Sequence, residues 1–249
     1  MALHHSPRVV TDGLILCLDA ASKESYSGSG TVWRDLSSNG NNVNLNNDVY
    51  NSEGAISSFN GNFSASSGGA IVYSGRSELT VDIWIKTPNN FTSSTQSLVL
   101  YPVGTNSTGG WGLLTSRNNA NSFNLILMPV GGDMGGGDTS WYYGYQDTSI
   151  GNNKWTNFSF SYLGSRSGGT NNVNMVEAFI NGQLNPNRYA IHTATMTSTI
   201  GGNGTAASLG TSSFQDAGQK IGIIRIYSRA LTPNELIQNY NATKSRYNL

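Results

Sequence analysis

Charge is scarce in this chain. Asp, Glu, Lys and Arg make up 11% of its 249 residues, against roughly a quarter in an average soluble protein. The 14 basic and 14 acidic side chains cancel to a formal net charge of +0. A nucleic-acid binder carries a basic footprint, so this balance excludes that partner class. There is one cysteine, Cys17, which excludes an internal disulfide framework and a cysteine zinc cluster. It lies in the apolar run LILCL and reads as a small buried hydrophobe. No apolar run approaches the roughly 20 residues of a membrane helix, so membrane insertion is not expected. The opening MALHHSPRVVTDG has neither an apolar h-region nor a small-residue cleavage site, so no signal peptide is expected.

What fills the space is glycine, 30 residues of it, with abundant Asn, Ser and Thr. That composition favours turns and strands over helices. A hydrophobic content of 37%, with 10% aromatic, is enough for a core. Residues 1–11, with Pro7, read as an extended arm, and 12–249 as one domain without an internal linker. Strands are expected over 12–19 and near 55–60, 70–74, 79–87, 96–103, 111–116 and 122–130. More are expected near 140–146, 155–163, 173–180, 183–190, 207–211 and 220–228. LTVDIWIK puts Leu79, Val81, Ile83 and Ile85 on one face, with Asp82, Trp84 and Lys86 on the other. WTNFSFSYL alternates in the same way, with Phe158, Phe160 and Tyr162 opposite Asn157, Ser159 and Ser161. Asn181-Gly182 between two strand-like runs signals a hairpin. The first and last strands read as partners in one sheet.

One helix announces itself, after the strand IGIIRIYS. Thr232 is a natural N-cap, Pro233 the first helical residue, and Glu235 closes a capping box. Leu231 and Leu236 fall at the positions of a hydrophobic staple. Leu236 and Tyr240, four apart, share a face that can dock on something apolar.

Seven stretches then carry a resemblance. GLILCLDA, GSGTVWRDLSSNGNN, SSFNG, LTVDIWIK, WTNFSFSY, FINGQL and IGIIRIYSRALTPNELIQNYNATKSRY follow one another in this order. Together, over residues 12–247, they resemble the concanavalin A-like lectin/glucanase jelly roll in its laminin-G-like form. The opening and the close are similar to versions in structural proteins of tailed phages, notably cyanophages. The resemblance implies an all-β fold, a two-sheet antiparallel jelly-roll sandwich, with one short C-terminal helix. It also implies a place on the virion, with other virion proteins of the capsid or tail as partners. Relatives often hold sugars or calcium on rim loops or the concave face. Many carry F-D-G-x-x-D-Y where this chain reads Phe59-Asn60-Gly61-Asn62-Phe63-Ser64. Both acids are gone, and no role of theirs carries over.

Catalysis finds little support in the residues. The glucanase branch uses E-x-D-x-E on one strand, whereas here the nearest approach is Glu78 and Asp82, which read as polar groups on a solvated face. There is no G-x-S-x-G, and the histidines are His4, His5 and His192. No enzymatic activity is therefore expected. Asp133, Asp138 and Asp147 cluster around a glycine-rich stretch and could offer hard oxygens to calcium. Their spacing matches no specific loop, so no metal is assigned and no cofactor is required. For sugars, DTSWYYGYQD brings Trp141, Tyr142, Tyr143 and Tyr145 next to planar polar groups, and Trp111 is a second rim candidate. In a strand, Trp141, Tyr143 and Tyr145 would share one face and could equally fill the core. The expected function is a non-enzymatic structural or decoration protein of a virion that contributes to host-surface adhesion. A lectin-like module recognising host polysaccharide stands beside it as the alternative, with a glycoside hydrolase as the third reading.

Overall fold

The computed structural model describes residues 7–45, 48–58, 63–64, 78–86, 97–103, 110–116, 122–128, 141–146, 153–163, 176–185, 188–191, 206–209 and 220–249. In chain order the first strands are β1 (Leu14–Asp19), β2 (Val32–Trp33), β3 (Val43–Asn44), β4 (Asp48–Asn51), β5 (Ala55–Ser58) and β6 (Phe63–Ser64). Next come β7 (Glu78–Lys86), β8 (Ser97–Val103), β9 (Gly110–Ser116), β10 (Ser122–Met128), β11 (Trp141–Gln146) and β12 (Trp155–Leu163). The last are β13 (Val176–Ile180), β14 (Gln183–Leu184), β15 (Arg188–Ile191), β16 (Ala206–Leu209) and β17 (Lys220–Tyr227). Helix α1 (Pro233–Thr243) and a 3-10 turn (Lys244–Tyr247) end the chain. This is an all-β protein with one short C-terminal helix.

The strands form two antiparallel sheets. One runs β14-β13-β12-β7-β17-β5-β4, with β1 also paired to β17, and the other runs β15-β11-β10-β9-β8-β16-β6-β3-β2. The expected pairing of the first and last strands is present, from Leu14↔Tyr227 to Asp19↔Ile223. The stretch expected as one strand over 183–190 divides instead, with β14 in one sheet and β15 in the other. The expected strand near 70–74 lies outside the described residues.

The alternation read from the sequence builds the core. Leu79, Val81, Ile83 and Ile85 of β7 join Phe158, Phe160 and Tyr162 of β12 in one buried cluster. Leu16 and Leu18 of β1 belong to it, as do Trp33 and Val43 from the other sheet, so the two sheets share this core. β17 departs from simple alternation. A register shift between Ile221 and Ile223 lets Ile221 join Ile224 and Ile226 in that core, while Ile223 goes to the opposite face. A bulge of this kind inserts one residue and changes the phase of the strand. The inserted residue is Gly222, where a Cβ would lie 2.3 Å from the Tyr247 hydroxyl.

The helix forms as its local chemistry dictates. The Glu235 N–H donates to Thr232 Oγ1 at 3.4 Å, and the Thr232 N–H donates to Glu235 Oε2 at 2.8 Å. Leu231 and Leu236 are buried with Val10, Phe179 and Tyr227. Val10 comes from the N-terminal arm, whose backbone the helix holds. The Val10 N–H donates to Asn239 Oδ1 at 2.9 Å, and the Tyr227 hydroxyl donates to the Val10 carbonyl at 3.0 Å. Asn239 Nδ2 in turn donates to the Tyr227 hydroxyl at 2.9 Å. Burial raises the Tyr227 phenol above its usual range, so it stays protonated as a donor. Residues 8–10 are thus fastened to the chain's own helix, and Val10 belongs to a core cluster.

The Asn181-Gly182 hairpin also forms, with φ of 48° and 72° at its two turn residues. Gly182 has a second task, because a Cβ there would lie 2.5 Å from the Tyr240 ring. Gly182→Ala therefore combines backbone strain with overpacking and should cost about 2–4 kcal/mol in chemical denaturation. Combined with Tyr240→Ala, the cost should fall short of the sum of the two single changes, since the clash disappears with the ring. Strict additivity would show that the ring does not feel Gly182.

Candidate functional site

Of the two β7 acids expected on a solvated face, Asp82 is buried and Glu78 half-buried, and each is engaged by protein groups. Asp82 is 0% exposed and Arg225 is 2% exposed, and Arg225 Nη1 donates to Asp82 Oδ2 at 2.7 Å. Asn157 Nδ2 and Ser159 Oγ donate to Asp82 Oδ1 at 2.7 and 2.9 Å. The reading of Asp82 as a solvated acid is corrected here. An isolated polar strand face points to water, but this face is roofed by α1 and the 3-10 turn. Burial opposes the charge on Arg225, but the charge and hydrogen bond of Asp82, with smaller contributions from Tyr227 and Cys17, outweigh it and leave the guanidinium firmly protonated.

The rest of that face is a docking strip. Glu78 Oε2 accepts the Ala230 N–H at 3.2 Å. Thr80 Oγ1 donates to the Arg229 carbonyl and accepts the Leu231 N–H, both at 2.9 Å. Ser161 Oγ donates to the Leu231 carbonyl at 2.9 Å. Trp84 Nε1 donates to Thr243 Oγ1 at 3.0 Å, and the Trp84 ring lies against Tyr247 and Tyr240 with centroids 4.1 and 5.8 Å away. Four β7 side chains therefore hold the C-terminal segment or the strand leading into it.

These engagements bear on acid chemistry. The glucanase pattern sets its outer acids at this same four-residue spacing, so what distinguishes Glu78 and Asp82 is their engagement and not their separation. Both acids are already committed to protein partners, Asp82 without solvent contact. Cys17 is buried, as expected, and pairs in register with Arg225. Burial pushes its thiol up to about 11, which keeps it protonated and unsuited to nucleophilic attack.

At the other end of β7 an accessible cluster appears that the sequence reading missed. Glu53, in the turn between β4 and β5, accepts from Lys86 Nζ and Lys220 Nζ at 2.7 Å each and from Trp155 Nε1 at 3.2 Å. Hydrogen bonds from Lys220 and then Lys86 hold its carboxyl down to about 2. Nothing in the local sequence around Glu53 signals this, because its three partners lie 33 to 167 positions away.

The aromatic candidates lie on neighbouring strands of the second sheet. Trp111 of β9 and Trp141 of β11 both pair with Leu127 of β10, so the backbone register sets them in one cross-strand row. Tyr143 pairs with Leu125, and Tyr145 with Phe123, in further rows of the same phase. Tyr142, paired with Ile126, falls in the opposite phase. Asp133, Asp138, Asp147, His4, His5 and His192 lie outside the described residues. Among the described residues, no group of three or more His, Cys, Asp and Glu is placed to hold a metal ion, and no helix is long and apolar enough to cross a membrane.

No protein-family model and no curated protein matches the chain. Solved structures do. The receptor-binding domain of botulinum neurotoxin type G is 16% identical, with a TM-score of 0.62 over 92% of this chain and 51% of that one. The receptor-binding domain of botulinum neurotoxin D is 17% identical, with a TM-score of 0.62 over 94% and 53%. A serotype D ligand-binding domain in complex with N-acetylneuraminic acid is 17% identical, with a TM-score of 0.58 over 93% and 51%. This chain spans about half the length of each. At such identity the similarity establishes a shared β-sandwich fold.

Two measurements check the electrostatics. Arg225→Met should cost about 3–5 kcal/mol in denaturation, because it leaves Asp82 buried without its cation. The double change Asp82→Leu with Arg225→Met should cost less than Arg225→Met alone, and an equal or larger cost would show that the pair itself stabilises the sheet. The second concerns acid. Glu53 and Glu235 both have carboxyls held down to about 2, Glu235 chiefly by its Arg229 hydrogen bonds. A depressed folded-state pKa gives stability that is present above the unfolded value, roughly 4.3, and is lost as pH falls through about 2. Glu53→Gln with Glu235→Gln should therefore flatten the fall in melting temperature across that window.

Proposed function

We propose that the chain is a non-enzymatic, glycan-binding β-sandwich module carried on a tailed-phage particle, where it contributes to adhesion to the host surface. The observation that carries this reading is a fold shared with domains described as receptor-binding and with a ligand-binding domain in complex with N-acetylneuraminic acid. The occupied outer strip of β7 supports it by leaving the second sheet and the rims for a ligand. The row that contains Trp111 and Trp141 supports a stacking platform there, with Tyr143 and Tyr145 in rows of the same phase and Tyr142 in the opposite one. Aromatic rings take the C–H face of a sugar while amides and hydroxyls, plentiful in this chain, take its hydroxyl groups. The commitment of Glu78 and Asp82 to the protein's own groups supports a non-enzymatic role. Calcium at Asp133, Asp138 and Asp147 would be an addition to this reading, not a requirement.

The virion setting rests on the ordered motifs from GLILCLDA to the C-terminal helix. Its partners would be capsid or tail proteins. Two experiments test the two halves separately. On a glycan array, with and without calcium, the protein should bind a defined set of host-type polysaccharides, and Trp141→Ala or Trp111→Ala should abolish binding while far-UV circular dichroism stays unchanged. An empty array under both conditions would sink the glycan reading. The protein should also co-sediment with intact particles, and recovery only from the soluble fraction of infected cells would remove the virion role.

A further inference from the structure

The Glu53 cluster has the chemistry of a binding site as well as of a fastening. Trp155, Lys86 and Lys220 are paired directly across β12, β7 and β17, so they form one row at the end of the sheet. Two ammonium groups directly opposite each other repel. Here the repulsion is relieved by a carboxylate that arrives from a different hairpin and takes donors from three strands. The row is thus a carboxylate-receiving cradle with one carboxylate already in it. Among the described residues it is not saturated. Each ammonium has three donors and gives one to Glu53, and two positive charges against one negative leave the cluster at +1. The Lys220 and Glu53 side chains keep 30% and 34% of their exposure, and Trp155 is half-buried, with Tyr247 tilted against its ring at 4.6 Å.

We propose that this cradle is a second saccharide site, distinct from the Trp111–Trp141 row, and that it takes an acidic sugar of the hexuronate kind; this rests on the glycan-binding reading. The sugar's carboxylate accepts the free donors of Lys220 and Lys86. Its ring lies on the indole of Trp155, and a ring hydroxyl donates to Glu53. A neutral sugar finds the same indole and acceptor but nothing to balance the cluster's charge.

The test is a titration of the whole chain with oligogalacturonate and with its neutral methyl ester, following the Trp155 indole N–H resonance, identified by its loss in Trp155→Phe. The acid form should shift that resonance saturably, bind about tenfold tighter than the ester, a difference of one opposite-charge contact, and weaken in high salt. Glu53→Gln raises the cluster to +2 and should tighten acid binding several-fold. Lys220→Glu should abolish it, with an unchanged circular dichroism spectrum showing that the variant is folded. An unmoved Trp155 resonance in both wild type and Glu53→Gln, or equal binding of acid and ester, would overturn the proposal and leave the cradle as a fastening of the β4–β5 turn. Array binding that survives Lys220→Glu for every acidic glycan but is lost in Trp141→Ala would likewise overturn it while upholding the general glycan reading. Uronate binding lost in Lys220→Glu and kept in Trp141→Ala would uphold the cradle.

Discussion

Arg225 carries a full charge on a central strand of a sheet covered on both sides, and that charge must be met before the cover can close. Taking each ion out of water costs several kcal/mol even after relaxation, so the pair forms only where geometry and further hydrogen bonds compensate. The register supplies both. Cys17, Arg225, Asp82, Ser159 and Phe179 form one row across β1, β17, β7, β12 and β13. Asp82 therefore receives Arg225 from one neighbouring strand and Asn157 and Ser159 from the other. A slip of one residue between β17 and β7 would set Arg225 against Ile83 or Val81 and turn it into the shared core. The ion pair thus acts chiefly as a register lock. With register set, Trp84 comes under Tyr247 and Tyr240, and Thr80 and Ser161 meet the Leu231 backbone.

That lock also decides what the eight-stranded sheet can offer a partner. Its outer face, open in a simple sandwich, is filled by α1, the 3-10 turn and residues 8–10 of the arm. The arm is held through its main chain by Gln238, Asn239 and Tyr227, so the two ends of the described chain close over the same face. Among the described residues of this sheet, an accessible polar cluster lies at the strand ends, around Trp155 and Glu53. Helix α1 and the 3-10 turn together roof a second buried layer. Their apolar contribution comes from Leu236, Tyr240 and Tyr247, and their polar one from Asn239 and Thr243.

Much of this was legible in the residues. The capping box, the Asn181-Gly182 turn and the inward sets of β7 and β12 follow from short-range rules, and each forms as read. The failures share one cause. Period-two alternation says which residues lie on opposite faces but not what covers the second face, so Glu78 and Asp82 read as solvated although Asp82 lies buried under a roof. The Gly222 bulge was hidden for the same reason, since the glycine is explained by the Tyr247 hydroxyl, 25 positions later in sequence. For the sugar candidates, the sequence could name Trp111 and Trp141 but not relate them. Only strand order brings both beside Leu127.

The sparse charge acquires a meaning from these contacts. Among the described residues, Asp82 is spent on Arg225, Asp19 on Arg246, Asp12 and Glu235 on Arg229, and Glu53 on Lys86 and Lys220. In these pairs charge works inside the fold, pinning strands and the C-terminal segment. Long-range electrostatic steering needs a surplus of one sign, and this chain has none overall. Of the two clusters that are locally unbalanced, Arg229 with its two acids lies against the helix start, where its excess negative charge favours the helix dipole. The Lys86–Glu53–Lys220 cluster has no such internal duty for its excess positive charge, and it is the one with an indole beside it.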